Sequence, residues 1–276
     1  MATKAQTRRL NATAGTHQTE ILKLLNGIGR TRGLSRVFAD WIEMCAIALA
    51  RMDRAQFDAL EERYQGIVKQ YERDEVEDLA KAFAHLTLAY EECFSDGAVA
   101  FADTLGSLYM MLDMGNSDTG QFFTPYEVSR MMAQIQIEGA GELIKEKGYV
   151  QVMEPAAGAG GMIIATAHAL HEAGFNYQRT MHATAIDIDA RCVHMCFVQL
   201  SMLHIPAVVI HGNALSGETW GQWVTPAHIL GGWQRRLDSH KPLAQLNHSN
   251  NQTWPSRHPE VPKGNNNVER VQMMLF

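Results

Sequence analysis

The sequence predicts an α/β protein in which an abbreviated parallel sheet follows a helical region. Three observations support this prediction: helical periodicity in the first 113 residues, alternating strand-like and helical segments from residue 149, and a glycine-rich loop between the first such pair. At 276 residues, 46% hydrophobic and 20% charged, the chain can bury one sizeable core and a smaller second one. This composition excludes disorder of the whole chain.

Five helical segments are predicted in a domain that spans residues 17–113. Residues 55–71 and 75–93 place apolar side chains at a spacing of three to four, which is the pattern of an amphipathic helix. Before residue 17, a polar basic arm covers residues 1–16. The other helical segments are residues 18–28, 36–50 and 99–112.

Residues 114–232 are predicted to form the sheet-containing domain. Short apolar segments alternate with helical ones, and this order is typical of parallel strands joined by right-handed crossovers. The predicted strands are residues 149–153, 182–186 and 207–210, with a fourth at 227–230, and the helices are 161–173 and 189–203. Residues 233–276 are rich in Asn, His, Pro and Ser and are predicted to be a disordered tail.

The charges are unevenly distributed, although the total is only −6. Residues 1–36 contain seven Lys and Arg against Glu20 alone, and residues 233–276 are also net basic, whereas the middle of the chain is acidic. The protein is therefore not built to coat DNA with its whole surface. The two ends could contact phosphates or could simply be solubilising tails.

The cellular location of the protein and the absence of a metal site are predicted from motifs that the sequence does not contain. No apolar run approaches the roughly 18–20 residues of a membrane span, and the polar N-terminus has no secretory pattern, so we expect a cytoplasmic protein without membrane contact. The four cysteines form no Cys-x-x-Cys motif, and His168 and His171 lack a suitably spaced third ligand. We therefore predict no metal site.

The glycine-rich loop that begins at Glu154-Pro155 and contains Gly158 and Gly160 carries the strongest chemical signal. A strand that ends in an acidic residue and continues through glycines into a helix lets a bound nucleotide approach the backbone. The Glu154 carboxylate would repel a pyrophosphate but would attract a cationic amino group. Asp187 ends the next strand, where a carboxylate can accept ribose hydroxyls, so a nucleoside with a positively charged tail is favoured over NAD or ATP. A tight structural turn is the alternative.

A third motif lies upstream, in residues 120–127, Gly-Gln-Phe-Phe-Thr-Pro-Tyr-Glu. Thr124 is predicted as the N-cap of a helix, with Pro125 at the first helical position and Glu127 completing a capping box. A well-capped helix with no further role is the alternative.

The order of these motifs, followed by His-Gly-Asn-Ala-Leu at 211–215, resembles the N6-adenine DNA methyltransferases. The modification subunits of type I restriction systems, which also carry a helical N-terminal region, are the most similar group. The resemblance covers about residues 114–215 and implies a Rossmann-like S-adenosylmethionine-dependent methyltransferase domain. It implies nine cofactor-binding residues: Phe123, Thr124 and Pro125 at the methionine end, Glu154, Pro155, Gly158 and Gly160 around the amino-acid part, Asp187 at the ribose, and Asn213 at the adenine.

The family's catalytic motif, Asn/Asp-Pro-Pro-Tyr/Phe, is absent. It holds a flipped adenine, yet no two of the eight prolines are adjacent in this chain. The expected position contains Thr225, Pro226, Ala227 and His228. Because the predicted sheet is also short and no target-recognition domain is evident, catalysis by this chain alone is doubtful.

The last residues of the chain, Val-Gln-Met-Met-Leu-Phe, resemble peptides that dock on bacterial sliding clamps. In that case Leu275 and Phe276 would enter an apolar groove and Gln272 would fix the register. The alternative is that this apolar end folds back onto the protein's own core.

Taken together, these features predict an S-adenosylmethionine-binding protein of DNA modification, in a bacterial restriction-modification system or a mobile element. As an enzyme it would methylate adenine N6 in DNA, and either a specificity or catalytic partner subunit or the segment from Thr225 to His228 would supply the missing acceptors. Two alternatives remain: a non-catalytic binding module with an antirestriction or replication-associated role, or a remnant that no longer binds the cofactor.

Overall fold

The structure, a computed structural model, describes residues 15–53, 56–94, 101–112 and 123–239. The predicted α/β class is confirmed: a helical region precedes a four-stranded, mostly parallel sheet. The basic arm up to residue 14 and the residues after 239, including the clamp-like segment with Gln272, Leu275 and Phe276, lie outside the described residues.

Five helices make up the described N-terminal region: α1 (Thr16–Arg32), α2 (Leu34–Ala50), α3 (Phe57–Val68), α4 (Arg73–Glu92) and α5 (Thr104–Met111). Helix α5 starts later than the predicted residue 99, because Asp103 caps it by accepting a hydrogen bond from the backbone N–H of Gly106. Helix α2 carries the buried Phe38 and Trp41 of this region's core.

The second part continues with two helices and then the sheet. Its elements are α6 (Tyr126–Gln136), α7 (Ala140–Lys147), β1 (Val150–Glu154), α8 (Gly161–Glu172), α9 (Tyr177–Thr180), β2 (Met181–Asp187), α10 (Ala190–Met202), β3 (Ala207–Asn213), β4 (Glu218–Val224), α11 (Pro226–Leu230) and α12 (Trp233–Asp238). Strands β1, β2 and β3 pair in parallel in that spatial order. This sequential order corresponds to one half of a doubly wound sheet, whose second half would join at β1.

The fourth strand differs from the prediction. Residues 227–230 belong to helix α11, because Thr225 caps it and Pro226 occupies its first position. The fourth strand is instead β4, which pairs antiparallel with β3 after a short turn that contains Gly217 at φ 76°. A hairpin of this kind turns back on its neighbour, so β4 does not extend the parallel order.

The predicted tail also begins too early. Residues 233–238 form α12, and Trp233 is fully buried against Tyr149 and His182. A large aromatic side chain buried in this way makes α12 part of the folded domain.

The two faces of the sheet differ in how they are covered. Helix α10 packs on one face, where its Phe197 contacts Trp223 of β4. The other face is covered only at its base by α11 and α12 among the described residues, and above them an in-register row remains accessible to solvent. This row consists of Met153, Thr184, Val208 and Val224, and Met153 is 68% exposed.

The helical region and the sheet share one hydrophobic core. Helices α2 and α5 both pack against α10, so the two predicted domains are in contact. Within the described residues, no helix is both long and apolar enough to cross a membrane.

Candidate functional site

A cavity of about 380 Å³ opens at the carboxyl ends of β1 and β2. Ligand sites of open α/β sheets lie at this edge, because the loops that follow parallel strands meet there. The cavity is lined by Asp103, Phe123, Thr124, Ser129, Met132, Gln136, Glu154, Ala156, Ala157, Gly158, Ala159, Gly161, Met162, Asp187 and Cys192.

The loop after β1 forms one wall of the cavity, and its glycines are sterically required. Gly158 has φ 53°, and a Cβ there would lie 3.0 Å from the Phe123 ring. Gly160 has φ 94°, and a Cβ there would lie 3.0 Å from Cys196 Sγ. Because only glycine adopts this backbone without strain, the loop keeps its backbone open towards the cavity.

Asp187 fixes the loop from the neighbouring strand. Its Oδ2 accepts a hydrogen bond from Gly158 N at 2.8 Å, and its Oδ1 accepts one from Asp189 N at 2.9 Å. Each carboxylate oxygen has a second lone pair, so Asp187 can still accept hydroxyl protons from a ligand.

Glu154 lies at the mouth of the same loop, at the end of β1. Partial burial raises the pKa of its carboxyl above the ordinary value, and a weak hydrogen bond from Ala156 N opposes this shift. A cationic ligand group would relieve the cost of keeping this carboxylate charged.

The Phe-Thr-Pro segment lies beside the loop, but the predicted capping box is wrong. Helix α6 begins at Tyr126 with Pro125 as its N-cap, and no side chain caps it. The carbonyl of Pro125 accepts hydrogen bonds from Val128 N and Ser129 N. Thr124 therefore does not cap the helix, and its side chain lines the cavity instead.

Five of the nine predicted cofactor-binding residues line the cavity: Phe123, Thr124, Glu154, Gly158 and Asp187. Pro125, Pro155, Gly160 and Asn213 are not among its lining residues. The Asn213 side chain is occupied locally, because its Oδ1 accepts hydrogen bonds from Leu215 N and Ser216 N in the turn before β4.

Several lining residues have no counterpart in the sequence-based prediction. Asp103 comes from the helical region, and Ser129 comes from α6. Asp103 is 7% exposed and Ser129 is 1% exposed, and the hydroxyl of Ser129 has no hydrogen-bond partner among the residues that the structure describes. The sequence pattern around Asp103 indicates a helix cap and nothing more, so only the folded arrangement reveals its place in the cavity.

The segment at the expected catalytic position lies at the opposite end of the sheet. Thr225 N donates to Ala207 O at the start of β3, whereas the cavity lies where the parallel strands end. His228 is buried and pairs with His182 across 2.8 Å between Nδ1 and Nε2. Burial lowers the pKa of both imidazoles, that of His182 to about 3. The geometry excludes Thr225, Pro226, Ala227 and His228 from contact with a substrate in the cavity.

Replacing Thr225 with Val is expected to reduce the free energy of unfolding by about 2 kcal/mol. The Thr225 hydroxyl donates to Ile205 O, accepts from Ala207 N, and caps α11 through His228 N. Val keeps the shape and removes all three contacts. Urea unfolding measures the loss, and Thr225→Ser, which keeps the hydroxyl, is the matched control. Equal stability of Val and wild type would mean that this buried hydroxyl is not structural.

No group of three or more His, Cys, Asp or Glu side chains in the described part of the chain could hold a metal ion. His168 instead stacks on Phe101 and contacts the Tyr126 hydroxyl. All four cysteines lie in the described part of the chain and none forms a disulfide; Cys45, Cys192 and Cys196 are buried, and Cys93 is half-buried.

Comparison with known proteins gives a family and one structural neighbour. The N-6 DNA Methylase family matches residues 101–240, which is half of the chain and includes the cavity. A protein from Listeria monocytogenes described as a class I S-adenosylmethionine-dependent methyltransferase is similar at 16% identity and a TM-score of 0.40. That match covers 74% of this chain and 56% of the other. Comparison with curated proteins gives no significant match.

Proposed function

This chain belongs to the N-6 DNA methylase family, and from that premise we propose that it binds S-adenosylmethionine in the cavity at the ends of β1 and β2. We further propose that it takes part in N6-adenine methylation of DNA in the cytoplasm, with a partner completing the acceptor side. The observation that carries the proposal is the convergence of Glu154, Asp187 and the open glycine loop on one cavity.

The residues of the cavity fit this cofactor. Gly158 leaves a cradle that a Cβ would fill, and Asp187 keeps free acceptor capacity for ribose hydroxyls. Glu154 would hold the amino group, and Phe123 would pack on the methionine end. Asn213 is less well suited to the adenine, because its side-chain oxygen already accepts two backbone N–H groups. When bound, S-adenosylmethionine supplies an electrophilic methyl group.

The cavity favours this ligand over a nucleotide with a pyrophosphate. Glu154 and Asp103 both border it, and a phosphate chain would meet two carboxylates with no free cation among the described lining residues. Like charges in a partly dehydrated site repel strongly. We therefore expect ATP and NAD to bind far more weakly than S-adenosylmethionine.

A partner on the acceptor side is supported by two unpartnered surfaces. Within the described residues β1 has an unpaired edge, and the sheet face beside it carries the exposed Met153. Helix α6, which borders the cavity, also exposes an apolar stripe, formed by Val128, Met131, Met132 and Ile135. Apolar surface of this kind marks interaction sites. A specificity or catalytic subunit that covers it could bring the missing base-binding groups next to the cofactor.

The proposal is tested by titrating the purified protein with S-adenosylmethionine in a calorimeter, with ATP and NAD as controls. Expression in a strain free of adenine methylation then measures N6-methyladenine in DNA, with and without candidate partner subunits. We expect saturable binding, and methylation only with a partner. Absence of binding by folded protein would overturn the proposal and leave the remnant alternative.

The affinity for S-adenosylmethionine is expected to fall as the pH is lowered, because only ionised Glu154 attracts the amino group. Burial raises the pKa of this carboxyl, so the affinity begins to fall at a higher pH than an ordinary Glu would give. Glu154→Gln should bind about tenfold more weakly at pH 7.5 and show a flatter pH profile. Calorimetry across pH 5–8 measures the affinity of each variant, and Glu146→Gln, at an exposed position, is the control. If the affinity of the wild type and of Glu154→Gln changed with pH in parallel, the assignment of Glu154 to the amino group would be contradicted.

A non-catalytic module is the second candidate function, favoured by the position of Thr225–His228 far from the cavity. It predicts cofactor binding without methylation under any partner condition. In that case the clamp-like segment with Gln272, Leu275 and Phe276 becomes the proposed partner contact. Deleting residues 272–276 should then abolish capture of the purified sliding clamp, and unchanged capture would rule this role out.

A further inference from the structure

One carboxylate in the cavity wall has no counter-charge among the described residues. Asp103 is 7% exposed, and its two hydrogen bonds from described residues, from Gly106 N at 3.0 Å and Gln199 Nε2 at 2.7 Å, both reach Oδ1. Among the described residues no cation forms an ion pair with it, and burial raises the pKa of its carboxyl. A buried carboxylate without a partner is costly, so its retention beside a cavity points to a cationic ligand.

Two glycines lie directly against the Asp103 carboxyl group, one in α5 and one at the cavity. Gly106 of α5 packs so closely that any side chain there would collide with the Asp103 carboxyl group. On the cavity side, Oδ2 lies 3.1 Å from where a Cβ of Gly161 would stand, and Gly161 lines the cavity. Glycine at position 106 therefore lets the Asp103 carboxyl group lie against α5, and glycine at position 161 leaves its Oδ2 open to the ligand space at the start of α8.

A second buried polar group borders the same cavity. The hydroxyl of Ser129 on α6 is buried and makes no hydrogen bond within the described part of the chain. Buried polar groups are almost always satisfied, so an unsatisfied hydroxyl at a cavity wall is available to a polar group of a ligand. The ligand space between α5, α6 and α8 thus combines an uncompensated carboxylate with an unsatisfied hydroxyl.

We propose that Asp103 binds the α-ammonium group of the cofactor's amino-acid end together with Glu154, and that Ser129 faces the same end. This inference rests on the proposed function and adds a binding residue that comes from the helical region. An ammonium suits this position better than a metal ion does, because the described residues offer no cluster of three ligating side chains. The helical region would then complete the cofactor site as well as support the fold.

The orientation of Asp103 is fixed by a buried neighbour. Gln199 of α10 donates to Asp103 Oδ1 and also to Ala159 O of the glycine loop, each at 2.7 Å. One amide therefore holds the carboxylate and the loop in a fixed relation. This rigidity is what a pre-organised binding site requires.

The test is a cycle of two ligands and several variants, measured by calorimetry. The ligands are S-adenosylhomocysteine and its analogue that lacks the α-amino group. The variants are Asp103→Asn and Asp103→Ser, which remove the charge but keep an oxygen to cap α5. Ser129→Ala probes the hydroxyl, and the exposed Glu146→Gln is the control.

We expect both Asp103 variants to bind S-adenosylhomocysteine about tenfold more weakly and to bind the deaminated analogue as the wild type does. The analogue also reports folding, because a misfolded variant would lose both ligands; Asp103→Ser replaces Asp103→Asn if the latter does not fold. Equal losses for both ligands by a variant that thermal unfolding shows to be folded, or no loss for either ligand, would overturn this inference and leave the proposed function standing. If the wild type binds neither ligand, the proposed function fails as well, so the two failures are distinguishable.

Discussion

Replacing Asp187 with Ala is expected to weaken S-adenosylmethionine binding by about 100-fold. The carboxylate performs two tasks: it accepts the N–H of Gly158, which holds the glycine loop, and it faces the cavity where the ribose would lie. Ala removes both interactions. A hydrogen bond to a charged group is worth about 1.5–3 kcal/mol, so loss of the ribose contact weakens binding roughly tenfold to 100-fold, and the loosened glycine loop brings the expected effect to the upper end of that range.

Two variants make this prediction specific. Asp187→Asn has the same shape, but its amide nitrogen must face either Gly158 N or Asp189 N, so we expect binding almost as weak as that of Ala. The exposed Glu146→Ala should bind as the wild type does. Calorimetry gives the dissociation constants, and thermal unfolding verifies that the variants are folded. Undiminished binding by Asp187→Ala would mean that the cofactor site is misassigned.

Replacing Gln199 with Leu is expected to reduce the free energy of unfolding by about 4 kcal/mol. Gln199 is fully buried, and its Oε1 accepts from Tyr90 OH at 2.6 Å and from Leu105 N at 3.0 Å. Its Nε2 donates to Asp103 Oδ1 and Ala159 O. Leu would leave all four groups without these bonds inside the core, and each such loss costs about 1–3 kcal/mol, in part non-additively.

Urea unfolding measures this loss, and two controls separate its causes. Tyr90→Phe removes one of the four hydrogen bonds and should cost only about 1 kcal/mol. Gln65→Leu, at an exposed position of α3, should change stability by less than about 0.5 kcal/mol. If Gln199→Leu costs no more than Tyr90→Phe, then the four-membered network does not contribute as a unit.

The Gln199 network also bears on how the protein unfolds. It joins α4 and α5 of the helical region to the glycine loop and α10 of the second part. Together with the shared hydrophobic core, this connection makes independent unfolding of the two parts unfavourable. We therefore regard the helical region and the sheet as one cooperative unit in the described chain.

The sequence by itself determined the central part of the candidate site. Glu154 and Asp187 each end an apolar segment, and glycines follow Glu154 directly. Because neighbouring parallel strands end at the same edge of a sheet, this local pattern is enough to bring the two carboxylates to one cavity. The helices of the N-terminal region could also be predicted from the sequence, since amphipathic periodicity is a local property of the chain.

Other features depended on contacts that local patterns do not encode. The sequence did not predict the position of β4, because the direction of a strand depends on the neighbour with which it pairs. The residues predicted as the fourth strand instead form the helix that starts at Pro226. The burial of Trp233 was missed because a polar composition around one aromatic residue resembles a tail.

Only the tertiary structure decided which side chains reach the cavity and which do not. Asp103 joins Glu154 and Asp187 although it belongs to the helical region, whereas His228, close in sequence to β4, lies at the opposite end of the sheet. The physical reason is that a single strand runs from the amino-end edge of the sheet to its carboxyl-end edge. Residues only a few positions apart in sequence can therefore lie at opposite ends of the sheet. Packing of α5 against α10, in contrast, brings distant residues to the same edge.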